Sequence, residues 1–173
     1  MAPPPRIPLP FRLALWIATR RAGTDLLPAR LLAWYPRAAI ASGVLEALVA
    51  HPDGAATERV LKMVRMTVSF TVSCPFCIGM NSAGWEQLMT ADELLALQGL
   101  RPLEEVPSLT AAERLAVTYA RLISASPLQL DPALGGRLKK HFSERDIVVL
   151  ATTAAQVNYW ARLIQALGCP PTG

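Results

Sequence analysis

Proline leaves four long uninterrupted blocks in this chain, residues 53–74, 76–101, 108–126 and 133–169. Proline lacks a backbone donor and breaks helix interiors, so blocks without it are where helices can run. Each block is several times the length of an ordinary strand, and the sequence predicts an all-α fold. Start signals stand inside the blocks. Thr90-Ala-Asp-Glu93 and Thr110-Ala-Ala-Glu113 fit the capping box, in which hydroxyl and carboxylate each satisfy an orphan N–H of the first turn. Ser143-Glu-Arg-Asp146 is a weaker form with a shorter acid. After it, Ile147, Leu150, Ala154, Val157, Ala161 and Ile164 step by three and four and form one apolar stripe. Gly168, Pro170 and Pro171 then stop the helix.

One segment carries the opposite local signal. Val64, Met66, Val68, Phe70 and Val72 alternate with polar residues, the period of a strand. A lone strand leaves its ladder groups unpaired, and no second segment offers a partner. The segment therefore reads as a helix with Leu61, Val64, Val68 and Val72 on one side. Proline also sets the domain plan. Pro3, Pro4, Pro5, Pro8 and Pro10 mark an extended start, and Pro52 ends the block Ala38–His51. Residues 1–27 read as a Pro/Arg-rich arm with a short helix, and 28–173 as one helical domain.

Charge and composition narrow the function classes. Residues 1–50 hold six arginines against Asp25 and Glu46, so the whole net charge of +4 sits there. The arginines are spread rather than clustered, which favours a solvated arm over a nucleic-acid or lipid surface. With 52% apolar and 17% charged residues the chain is no disordered solvating tail. No apolar run reaches the ~20 residues of a membrane span, and the start has no convincing signal peptide.

Three cysteines, Cys74, Cys77 and Cys169, are too few and too odd for a disulfide framework and point to a reducing, cytoplasmic setting. Cys169 has no partner in sequence and reads as a free thiol. Cys74-Pro-Phe-Cys77 is the one motif that carries chemistry. Pro75 suits the first position of a helix, and the unpaired N–H groups of that turn stabilise a thiolate. A partner cysteine two residues away can then resolve a sulfenic acid or mixed disulfide. Zinc needs four ligands, and Cys169, His51 and His141 do not stand at ligand spacing, so no metal is expected. No phosphate loop, HExxH or GxSxG motif is present, and no cofactor is expected.

The stretch CPFCIGMNSAGWE, from Cys74 to Glu86, resembles the AhpD-like and carboxymuconolactone decarboxylase superfamily, in its peroxidase-related, CxxC-containing branch. LTAAERLAVTYARLI, HFSERDIVVLATTAAQVNYWARLIQALG and the closing GCPP are similar to the second half of such domains. LLAWYPRAAIASGVLEALVAH is similar to the lead helix, so the resemblance covers residues 30–171. It implies a multi-helical, oligomer-forming domain: a homo-oligomer, trimer or hexamer, with a dimer also open. It implies reduction of a hydroperoxide, with Cys77 as the peroxidatic thiol, Cys74 as the resolving one, and an external dithiol as reductant. Siblings that decarboxylate a lactone generally lack the CxxC pair, which favours the redox branch.

The family's proton relay is altered here. The histidine position four residues after the second cysteine holds Asn81, which cannot take a proton at neutral pH. The glutamate position twelve residues before the first cysteine holds Lys62, with Glu58 one turn earlier as a displaced substitute. The histidine found between the cysteines in some members is Phe76. If the chain reverses at Cys74, Lys62 could approach the helix of Asn81 and stabilise a thiolate by charge. Solvated or backbone-bonded roles for Lys62 and Asn81 are the plainer readings. Asn158, Tyr159 and Trp160, and likewise Trp34 and Tyr35, read first as packing residues. Two other functions stay open on sequence: a lyase of the decarboxylase type, and a non-catalytic redox-sensing oligomer.

Overall fold

The structure, a computed structural model, describes residues 1–49, 51–128 and 131–171. Ala50 in the expected Ala38–His51 block, Gln129, Leu130, and the last two residues of the expected helical domain lie outside the described residues. Among the described residues nine α-helices follow in order: α1 Leu9–Ala22, α2 Leu27–Leu31, α3 Pro36–Leu48, α4 Glu58–Thr71, α5 Pro75–Ser82, α6 Ala91–Leu97, α7 Ala111–Ser124, α8 Leu134–Leu138 and α9 Glu144–Ala166. Short 3-10 turns lie at Leu32–Trp34, Trp85–Gln87 and Leu103–Glu105. Among the described residues the one β pairing is a bridge between Asp53 and Ala56. None of these helices is long and apolar enough to cross a membrane.

Helix α4 is the centre of the body and packs against α5, α6, α7 and α9. One side of it, with Val60, Leu61, Val64 and Val68, joins Ala116, Ala120, Leu150 and Ala154 in one core. The other side, with Met63 and Met66, joins Leu97, Val106 and Val117 in a second. Burial on both sides explains the strand-like alternation of 64–72: the helix has few solvent positions left to reveal its period. Each fully buried side chain of the size of Leu61 or Leu150 contributes about 1.5–3 kcal/mol.

All three capping boxes form, at Thr90/Glu93, Thr110/Glu113 and Ser143/Asp146. Their carboxylates also hold the tertiary structure. Arg59 of α4 donates to Glu93 at 2.8 Å and to Glu113 at 2.6 Å, and it also donates to the Leu88 carbonyl. Glu93 and Glu113 are buried, so two acids and one guanidinium fasten the starts of α6 and α7 to α4. The Asp146 Oδ1 accepts the backbone N–H of Ala55 at 3.1 Å and of Ala56 at 3.4 Å, tying α9 to the loop that enters α4. Gly54 makes that approach possible: its φ is +51, and a Cβ there would stand 2.7 Å from Asp146 Oδ1.

The N-terminal part is built differently. Prolines occupy first-turn positions of α1, α2 and α3, and α1 begins at Leu9, inside the stretch expected to be extended. Before residue 50 only Pro28, Leu31, Leu32 and Ser42 are buried.

Burial would raise the carboxyls of Glu93 and Glu113, but the Arg59 hydrogen bonds and the cap N–H groups outweigh it and hold both below their usual value. That stabilisation is complete above the unfolded carboxyl value of about 4.3 and is lost as pH falls through the folded-state values. Arg59→Ala leaves two buried acids unpaired and is expected to cost about 3–5 kcal/mol in urea unfolding at neutral pH. The variant is also expected to lose less stability than wild type between neutral and acid pH.

Candidate active site around the cysteine pair

Helix α4 ends where Ser73 takes a left-handed conformation, φ 49, and the chain reverses into α5. The Cys74 N–H reaches back to the Ser69 carbonyl at 3.2 Å, which fixes the reversal. Cys74 is then the N-cap of α5, with Pro75 at its first position. The Cys74 Sγ accepts the backbone N–H of Cys77 at 3.3 Å. The two cysteines are joined as a disulfide, with Cα atoms 5.3 Å apart. Both are buried: Cys74 exposes 0% of its surface and Cys77 4%. Phe76, Ala161 and Ile164 surround them, with Val72, Met80, Trp160 and Cys169 packed on the outside. Cys169 is free and half-buried, and burial pushes its thiol up while the N-terminal ammonium opposes that.

The expected relay positions lie on the same pair of helices, and the hydrogen bonds of Asn81 and Lys62 go to partners other than the cysteine sulfurs. Asn81 donates to the Ser69 Oγ at 2.9 Å, and that hydroxyl donates to the Arg65 carbonyl at 2.8 Å. Asn81 therefore staples α5 to α4. Lys62 does stand beside α5, as the chain reversal requires. Its Nζ donates to the Ala83 carbonyl at 2.6 Å, at the end of α5 remote from the cysteines. Burial and the charge of Arg65 lower the Lys62 pKa, against Glu86 and Glu58. Glu58 is exposed on the first turn of α4, about 20 Å along that helix from its cysteine end. Phe76 is buried beside the pair.

A polar group that sequence reasoning missed lies next to Trp160. Glu46 of α3 accepts at one oxygen from Gln156 at 2.8 Å and from the Trp160 indole at 3.0 Å. Arg65 is drawn down by burial, and Glu46 and Glu58 favour its charged form. Tyr159 hydrogen-bonds Ser42 of α3 at 2.7 Å, and Asn158 donates to the Ser124 hydroxyl at 3.0 Å and to the Ala154 carbonyl at 2.9 Å. Trp34 donates to the Ala2 carbonyl and, like Tyr35, is exposed. The His51 ring bonds the Ala47 carbonyl at 2.8 Å; His141 is exposed in the turn before Ser143. Among the described residues no three potential ligands gather into a metal site.

No family model matches the sequence. The uncharacterized protein YnjA of Escherichia coli is 29% identical over 178 residues, covering 100% of this chain and 94% of that one. Solved structures share the fold at lower identity. A peroxidase-related protein from a Silicibacter species aligns with a TM-score of 0.79 and 19% identity, over 97% of this chain and 87% of that one. The debrominase Bmp8 gives 0.76 and 18%, over 94% and 86%. An uncharacterized peroxidase-related protein from Ralstonia eutropha, described as an alkylhydroperoxidase AhpD core, gives 0.75 and 18%, over 95% and 86%. The fold is thus that of an all-α, AhpD-like domain. On that fold this chain carries a CxxC pair, Cys74 and Cys77, at the start of one helix.

Because Lys62 holds the far end of α5, Lys62→Met is expected to leave the pH profile of alkylation of the reduced pair unchanged. It is expected to lower stability by about 0.5–1 kcal/mol through loss of the hydrogen bond. Iodoacetamide kinetics and urea unfolding check the two parts.

Proposed function

We propose that the protein is a thiol-dependent peroxidase in which Cys77 attacks a hydroperoxide and Cys74 resolves the product. The observation that carries this reading is the joined pair at the start of α5 inside an AhpD-like frame. The reduced Cys77 thiolate attacks a peroxide oxygen and the O–O bond breaks. The alkoxide leaves and takes a proton as alcohol, and Cys77 becomes a sulfenic acid. The Cys74 thiolate then attacks the Cys77 sulfur, forming the S–S bond and releasing hydroxide, which is protonated to water.

An external dithiol returns two electrons and two protons. Its thiolate attacks the Cys77 sulfur, and Cys74, the more deeply buried residue of the pair, leaves as thiolate. The Cys77 N–H that points at the Cys74 sulfur stabilises that leaving group. The donor's second thiol then attacks its own sulfur in the mixed disulfide and frees Cys77. The charge-accepting geometry thus belongs to Cys74 and the less deeply buried position to Cys77, which suits a resolving and an attacking role. With Asn81 bonded to Ser69, protons travel by solvent rather than through a histidine. The cycle needs a reducing compartment, which fits a cytoplasmic setting.

Cys77→Ser is expected to abolish peroxide consumption in the presence of a dithiol. Cys74→Ser is expected to consume one equivalent and stop with a sulfenic acid on Cys77, seen as a mass adduct after dimedone. Turnover by Cys77→Ser equal to wild type would end the assignment. Inertness of wild type toward hydroperoxides, with turnover of a bromopyrrole, would replace it by the chemistry of the debrominase relative.

A further inference from the structure

Every exchange reaction at the cysteine pair needs a second molecule to reach a sulfur, yet both cysteines are buried. Phe76, Ala161 and Ile164 form the inner wall around them, and Val72, Met80, Trp160 and Cys169, all partly buried, form the outer one. Val72 and Cys169 are set by the backbone. The Val72 N–H donates to the Val68 carbonyl at 2.9 Å, and the Cys169 N–H to the Ile164 carbonyl at 3.1 Å. Trp160 is the largest side chain of the four, and a side chain of another helix fixes it. Its indole donates to the Glu46 carboxylate of α3 at 3.0 Å.

Helix α3 meets the body with polar groups. It buries Ser42 alone and turns Ile40, Val44 and Leu48 outward, at 58%, 52% and 72% exposure. Ser42 bonds Tyr159 at 2.7 Å, and the Glu46 oxygen that takes the indole also accepts from Gln156 at 2.8 Å. Gln156 is buried one turn before Trp160 on α9, so it holds the carboxylate in line with the indole. A hydrogen bond to a carboxylate is roughly twice as strong as a neutral one. A buried bond reacts through excursions of whatever covers it, and its rate follows the population of the open form when closing is fast. A contact that must break in each excursion therefore sets that rate.

We propose that Glu46 is a positioning residue for the cysteine pair: it pins Trp160 in the wall around the sulfurs and so sets how often a second molecule reaches them. The proposal rests on the redox use of the pair, but its test follows reduction of the Cys74–Cys77 bond by dithiothreitol with no hydroperoxide present, so an inert peroxidase assay and a failure here are separate results. One dithiothreitol thiolate attacks a sulfur of the pair, the second closes the reagent's own disulfide ring, and two electrons and two protons pass to the cysteines. The rate is read by mass after rapid alkylation, on protein shown to be folded by circular dichroism. Glu46→Ala and Trp160→Phe are each expected to speed reduction about tenfold, the equivalent of one hydrogen bond of ~1.4 kcal/mol. Both remove the same contact, so the double variant is expected to be no faster than either single one. Glu46→Gln, whose amide oxygen still accepts the indole, is expected to keep the wild-type rate. So is Ser42→Ala, which loosens α3 without touching Trp160. A wild-type rate in Glu46→Ala would overturn the proposal. So would a double variant about a hundredfold faster than wild type, or a rise in Ser42→Ala equal to that in Glu46→Ala.

Discussion

Arg59 is the side chain on which the body turns. It sits on the first turns of α4 and reaches the two acids that cap α6 and α7. A capping-box carboxylate ordinarily satisfies only its own helix start. Here Glu93 and Glu113 do that and also meet one guanidinium from the central helix. Asp146 plays the matching part for α9 through the N–H groups of Ala55 and Ala56. Local and tertiary needs are met by the same atoms, so the starts of three helices are registered against α4 and the loop before it. With α4 so fixed, its far end is fixed too, and that end is where the cysteines emerge.

The consequence for chemistry is a pair of sulfurs set by backbone geometry rather than by neighbouring charged groups. The reversal at Ser73, the Cys74 N–H to Ser69 contact and the Cys77 N–H to Cys74 sulfur contact are all made by main-chain donors. Lys62 bonds the other end of α5, and Glu58 stands at the other end of α4. The helix start is an electrostatic feature available to a thiolate at this site, and it needs no relay residue to act.

Much of the frame was legible because it depends on local rules. Capping boxes, the α9 stripe and the Gly168 stop are short-range features, and each appears where the residues place it. The helix at 58–71 carries a strand-like alternation, since a helix buried on two sides loses the polar face that would display its period. Arg59 and Glu46 were not legible. Each acts on residues that are distant in sequence, 34 and 54 residues away for Arg59 and 110 for Glu46, and no local pattern links them. The cysteine pair was legible as a motif, and its burial was not, because burial is set by Ala161 and Ile164 from the other end of the chain. The outward stripes of α1 (Leu13, Trp16 and Ile17) and α3 (Ile40, Val44 and Leu48) were not legible either, because the spread arginines of the N-terminal segment mask its apolar spacing.

The central claim is that Cys74 and Cys77 exchange electrons with a peroxide as a unit. Its most direct measurement is a count of free thiols, by mass after alkylation, in the reduced protein titrated with a hydroperoxide. The account predicts that two thiols vanish for each equivalent of peroxide consumed, while Cys169 remains open to alkylation. Three alkylatable thiols after excess peroxide would contradict it.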